Sequence, residues 1–190
     1  MVDELTVIAS SYHRNGYSFP VDAMSPEQAL AYRSQFEAAE REYKDKDPDF
    51  DALVFGHANM VMPFIDEITR LPTVLDPVRA ILGPDVMVWG ANLFIKEARS
   101  NGYVSWHQDL TYWGLDDVDE VTAWVALSPA TAQSGCMRYV PGTHTQEIAV
   151  HRDTFAENNQ LSRGQELIVD VNEAEAVDVV LAPGQIALHH

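Results

Sequence analysis

Apolar positions recur along this chain with two different periods, and the change falls near residue 84. Before it the spacing is helical. Ala29, Tyr32, Phe36, Ala39 and Tyr43 stand three or four residues apart and so share one helix face. Ser25-Pro26-Glu27-Gln28 opens that helix. Ser25 can cap the first free amides, Pro26 suits the first turn, and Gln28 completes a capping box. Two shorter helices are predicted over 64–70 and 74–82, the second stopped by Gly83-Pro84. Met60, Met62 and Phe64 read as core of these helices, not as a cofactor box.

After residue 84 the runs become short and rich in β-branched and aromatic residues. Strands are predicted over 86–89, 93–96, 103–108, 121–127, 136–140, 167–171, 177–181 and 186–189. Turn residues separate them: Ser100-Asn101-Gly102, Ser134-Gly135, Pro141-Gly142 and Pro183-Gly184. Many short strands at this spacing point to a mainly β chain with helices (α+β). The expected form is a sandwich or jelly roll, buttressed on one side by the N-terminal helices. No repeat, low-complexity tract or linker appears. Residues 1–190 therefore read as a single domain, with a helical part over 1–83 and strands over 84–190.

Composition narrows the function classes. Hydrophobic residues are 46% and charged residues 22%, ordinary for a globular chain. No apolar run reaches membrane-spanning length, and Asp3 and Glu4 stand where a signal peptide would be basic, so a cytoplasmic protein is expected. Cys136 is the only cysteine, which excludes an internal disulfide and a cysteine zinc site. Any metal must be held by His and carboxylate. The net charge of −17 repels phosphate backbones and makes nucleic acid a poor partner.

The richest chemistry lies in Trp106-His107-Gln108-Asp109. In a strand, residues two apart point to one side, so His107 and Asp109 can converge on one point inside a barrel. An imidazole and a carboxylate are two of the three ligands in the 2-His-1-carboxylate facial triad, which leaves iron positions open for cosubstrate and oxygen. An isolated His-x-Asp is more often a polar pair at a strand end. Here Trp106, Leu110, Tyr112 and Trp113 surround it, an apolar shell of the kind a water-restricted redox site needs. No Gly-x-Ser-x-Gly elbow and no glycine-rich phosphate loop is present.

The run His107-Gln108-Asp109-Leu110-Thr111-Tyr112-Trp113-Gly114 resembles the metal motif of the phytanoyl-CoA dioxygenase family. Thr122-Ala123-Trp124-Val125-Ala126-Leu127 and the run from Ser134 to His144 resemble the next two strands in order and spacing. Asn92 to Lys96 resembles the strand before the motif, and the likeness covers residues 12–190. It implies a cupin-like double-stranded β-helix that uses Fe(II), 2-oxoglutarate and O2 on a small-molecule substrate. By match, His107 and Asp109 are the iron ligands. Gln108, Trp124 and Asn92 fall at positions that touch 2-oxoglutarate, and Tyr112 and Trp113 would line the substrate pocket. Trp124 reads equally as core, while Arg138, Pro141, Gly142, Thr143 and His144 read as strand and turn. His13, His57 and His151 read as surface or capping residues. Related halogenases carry a small residue where Asp109 stands, so Asp109 favours hydroxylation.

The sequence departs from the family at one point. The family's third ligand is a histidine on a late strand, followed by an arginine that anchors the far carboxylate of 2-oxoglutarate. Gly184 to His190 matches the Gly-x-x-x-Leu-His-His segment that precedes that histidine. By this register both residues fall beyond position 190, the last strands are missing, and His190 is a candidate substitute ligand. Two rivals stay open: a non-catalytic jelly-roll binding protein, and a cupin-type metalloenzyme that needs no 2-oxoglutarate. The substrate and the oligomeric state are not legible in the sequence.

Overall fold

A computed structural model describes residues 3–115 and 119–190; Met1 and Val2, the start of the N-terminal stretch read above, lie outside it. Helix α1 (Glu4–Asn15) begins where Asp3 accepts a hydrogen bond from the Thr6 amide at 2.9 Å. It ends at Gly16, whose φ of +82° suits glycine and whose N–H reaches the Tyr12 carbonyl. Strand β1 (Tyr17–Asp22) follows directly. Helix α2 (Pro26–Tyr43) starts as its sequence predicts, with the Ser25 hydroxyl accepting from the Gln28 amide at 3.2 Å. Helices α3 (Phe50–Val61), α4 (Pro63–Arg70) and α5 (Pro72–Leu82) complete the helical part. A kink at His57 interrupts α3.

The main sheet has three antiparallel strands in the order β1, β7 (Gln185–His189), β2 (Thr122–Val125). Its middle strand is fully covered: Ile186, Ala187 and Leu188 are buried on both faces. Ile186 and Leu188 meet Ile8 and Tyr12 of α1 and Val74 and Ile81 of α5. Ala187 faces the other way, into a cluster with Ala126, Val179 and Leu181, against which Trp124 and Tyr139 pack. A third cluster joins Tyr32 and Phe36 of α2 to Phe50 and Val54 of α3 and Phe64, Ile65 and Ile68 of α4. Two small ribbons flank the sheet. One pairs β3 (Arg138–Tyr139) with β6 (Val177–Asp178), the other β4 (His151–Asp153) with β5 (Gln165–Leu167).

The chain is thus mixed α and β, and α2, α4 and α5 lie where helical spacing put them, whereas that spacing predicts neither α1 nor α3 individually and Met60, read as core, is exposed. The strands need more correction. Among the described residues, 86–89, 93–96 and 103–108 form no ladder; Tyr103 makes a single bridge, to Asn159. Only parts of 136–140, 167–171 and 177–181 are strand. Conversely, β1 lies inside the stretch read as helical, and β4 had no strand signal. A strand exists only where a partner pairs with it, and local pattern does not reveal the partner. Among the described residues no helix is long and apolar enough to cross a membrane.

Candidate metal centre

The His107–Asp109 segment is held from one side by the β4–β5 ribbon. The Ser105 hydroxyl donates to the Gln165 carbonyl, and the Leu167 amide donates to the Trp106 carbonyl at 3.2 Å. His151 caps the next amide, accepting from Gln108 N–H at Nε2 across 3.0 Å. The Gln108 side chain returns the contact, its Oε1 accepting from the Ala149 amide at 2.7 Å. Arg138 covers the Trp106 ring at 5.6 Å and pairs with Glu173 at 2.8 Å.

His107 and Asp109 meet, but strand alternation is not what brings them together. Residues 103–108 are not a strand, and Asp109 has helical angles (φ −61°, ψ −39°) at the entry to α6 (Leu110–Trp113). The turn brings Nε2 of His107 to 3.2 Å from Oδ1 of Asp109. His107 Nδ1 lies 2.8 Å from the Ser105 carbonyl, which can only accept, so Nδ1 carries a hydrogen. In the neutral ring, Nε2 then presents a lone pair to a carboxylate oxygen. Two acceptors at this distance repel unless a proton or a metal ion lies between them.

The ionisation of the pair follows. Burial works against a charged His107, yet the Asp109 carboxylate beside it holds its pKa above the usual value. Burial would likewise raise Asp109, but contacts with His107 and His189 hold it well below the usual carboxylate range. A deprotonated carboxylate and an oriented imidazole are the donor types that divalent iron accepts. Two donors at right angles about 2.1 Å from one ion stand about 3 Å apart, so the pair fits adjacent positions on an octahedral metal. Among the described residues no group of three His, Cys, Asp or Glu side chains is arranged to hold a metal.

The other expected residues lie at varied distances from this pair. The Tyr112 ring meets His107 edge-on at 5.9 Å, and among the described residues its buried hydroxyl has no hydrogen-bond partner. Burial, and then the charge of Asp109, push that phenol up to about 12. Trp113 stacks on Trp89 at 5.7 Å. Trp124 lies on β2 opposite Ala187 and is half-buried. Asn92 is exposed in the irregular stretch before the motif. His190 packs near His144 and lies 3.5 Å from Glu120.

Three residues enter that sequence reasoning passed over. The Thr122 hydroxyl donates to Oδ2 of Asp109 at 2.7 Å. His189 Nε2 stands 3.2 Å from the same oxygen, and its Nδ1 lies 2.8 Å from the Tyr139 hydroxyl. Alternation along β7 is the signal that finds His189, since it shares a face with Ala187.

The phytanoyl-CoA dioxygenase (PhyH) family model matches residues 12–190. The chain belongs to the phytanoyl-CoA dioxygenase family. Among curated members of that family and its neighbours, a probable alpha-ketoglutarate-dependent hypophosphite dioxygenase of Stutzerimonas stutzeri is 26% identical over 129 residues, 66% of this chain and 44% of that protein. The peroxisomal phytanoyl-CoA dioxygenase of Homo sapiens is 30% identical over 127 residues, 63% of this chain and 37% of that protein. The chain thus matches less than half the length of these curated relatives. The apo structure of the non-heme monooxygenase ThoJ aligns with a TM-score of 0.85 and 34% identity, over 96% of this chain and 67% of that one. EvdO2 from Micromonospora carbonacea var. aurantiaca, complexed with 2-oxoglutarate, shares the fold at a TM-score of 0.62 and 20% identity, over 100% of this chain and 81% of that one.

Proposed function

We propose that this member of the phytanoyl-CoA dioxygenase family builds the site of an Fe(II)- and 2-oxoglutarate-dependent dioxygenase that hydroxylates a C–H bond of a small organic substrate. The observation that carries the reading is the His107–Asp109 pair. Nε2 of His107 and Oδ1 of Asp109 face each other at 3.2 Å, with the far ring nitrogen already committed to Ser105. His107 and Asp109 would hold the iron, each through the atom that faces the other. The relation to ThoJ and EvdO2 supports reading β1, β7 and β2 as one wall of a double-stranded β-helix.

Iron and 2-oxoglutarate, when bound with O2, supply the oxidising power for C–H hydroxylation and leave succinate and CO2. The chain's own residues do the rest. Ser105 fixes the tautomer and direction of the His107 ring. Ala149 and His151 fix Gln108, whose Nε2 is the group assigned to the cosubstrate, together with Trp124 and Asn92. Tyr112 and Trp113 restrict water and shape the substrate side. The carboxylate of Asp109 occupies the position whose loss would admit a halide, which supports hydroxylation.

The test is anaerobic loading with Fe(II) followed by O2 and 2-oxoglutarate, with succinate measured. The expected result is metal-dependent succinate formation that Asp109→Ala reduces by at least about 100-fold, as for loss of a metal ligand. Equal succinate from wild type and Asp109→Ala would overturn the reading.

A further inference from the structure

The two oxygens of Asp109 stand in different surroundings. Oδ1 faces the ring nitrogen of His107. Oδ2 accepts from the Thr122 hydroxyl at 2.7 Å and lies 3.2 Å from His189 Nε2. His189 is itself fixed. Its Nδ1 lies 2.8 Å from the Tyr139 hydroxyl, the two rings are tilted together at 4.9 Å, and its side chain is only 12% exposed. The hydrogen positions follow from the acceptors. A carboxylate oxygen only accepts, so Nε2 of His189 carries the hydrogen, and Nδ1 of the neutral ring then accepts from Tyr139 O–H. The result is a chain of donors running from Tyr139 through His189 to Asp109.

The sheet makes this arrangement rigid. Thr122 and His189 are direct partners across β2 and β7, so both donors rise from one face of the ladder. Tyr139 reaches the same point from β3 and packs on the cluster beneath that face. The clamp is therefore built on paired strands, whereas Asp109 sits at the start of a four-residue helix.

We propose that Thr122 and His189, with Tyr139 fixing His189, are positioning residues that reserve Oδ2 and hold Asp109 as a one-oxygen ligand through Oδ1. This rests on the reading of Asp109 as a metal ligand. A carboxylate can bind a metal through one oxygen or both. A facial triad works only if positions stay open for cosubstrate and oxygen, so a second carboxylate oxygen on the metal would compete for one of them. Two donors on Oδ2 remove that competition.

The experiment loads the full chain with Co(II) alone and reads affinity and the visible d–d bands. The variants are Thr122→Val, His189→Phe, His189→Gln, Tyr139→Phe and Asp109→Ala, each checked for a cooperative melt without metal. Thr122→Val and His189→Phe are expected to weaken Co(II) binding about 10- to 100-fold, the usual effect of losing such a supporting bond. At saturating metal their bands should also shift, because freed Oδ2 can join the ion. Tyr139→Phe should act in the same direction and less strongly. His189→Gln, whose amide nitrogen can still donate to Oδ2, should keep wild-type bands and affinity. If His189→Phe fails to fold, Thr122→Val decides alone. Wild-type affinity and bands in Thr122→Val and His189→Phe would overturn the proposal. So would a His189→Gln variant as deficient as Asp109→Ala, because His189 would then be a ligand. Wild-type binding by Asp109→Ala would instead overturn the ligand reading on which this one stands.

Discussion

The Tyr12 hydroxyl donates to the Glu120 backbone carbonyl, the Glu120 carboxylate is buried, and neither of its oxygens has a hydrogen-bond partner among the described residues; His190 Nδ1 lies 3.5 Å from one of them. Burial first, and the charge of Asp109 second, raise its pKa from 4.5 to about 8. The folded chain therefore keeps a proton that the unfolded chain has released between these two values. Stability contributed by the neutral acid is full below pH 4.5 and is lost as pH rises through about 8. Glu120→Gln keeps the shape and removes the titration. Its urea midpoint should exceed that of wild type at pH 8, and the difference should shrink towards pH 5. A wild-type pH dependence in the variant would show that Glu120 is not the group responsible. Residue types were informative at this scale only where chemistry was unusual. His107 and Asp109 stood out because an aromatic shell surrounds them, whereas Thr122 and Tyr139 look like ordinary strand residues and gain meaning only from Asp109 beside them.

Strand β7 is the element on which the site depends, because it pairs with both β1 and β2 and delivers His189 to Asp109. Its entry is tightly built. The Gly184 carbonyl accepts from the amides of Ala23 and Met24, each at 3.0 Å, and its N–H reaches the Ala126 carbonyl at 2.8 Å. The residue has φ +89°, and a Cβ there would fall 2.3 Å from the Met24 carbonyl oxygen. Gly184→Ala should therefore cost about 1–3 kcal/mol, through strained backbone and forced separation from β1. Chemical denaturation measures this, and an unchanged midpoint would refute it. The turn at Pro183-Gly184 was legible in sequence, as was the capped start of α2. The partner β1 was not, since Tyr17–Asp22 precedes β7 by more than 160 residues and nothing local announces the pairing.

Across the whole molecule, 29 acidic residues face 12 basic ones. At low ionic strength such a chain repels itself, and salt shortens the range of that repulsion from about 30 Å at 0.01 M to about 3 Å at 1 M. The melting temperature at neutral pH should rise as sodium chloride is added over that range, and a falling one would mean that favourable ion pairs dominate. Composition, periodicity and motif order by themselves determined the mixed α and β class, the helical first part, the family likeness and the His107–Asp109 pair. These are properties of short runs, where spacing and residue type suffice. Tertiary structure alone decided that a turn, not a strand, aims the two side chains at each other. It also decided that Thr122, His189 and Tyr139 gather at the far oxygen of Asp109. Thr122 and His189 stand 13 and 80 positions from Asp109, and the pairing of β2 with β7 sets these two side by side within reach of it.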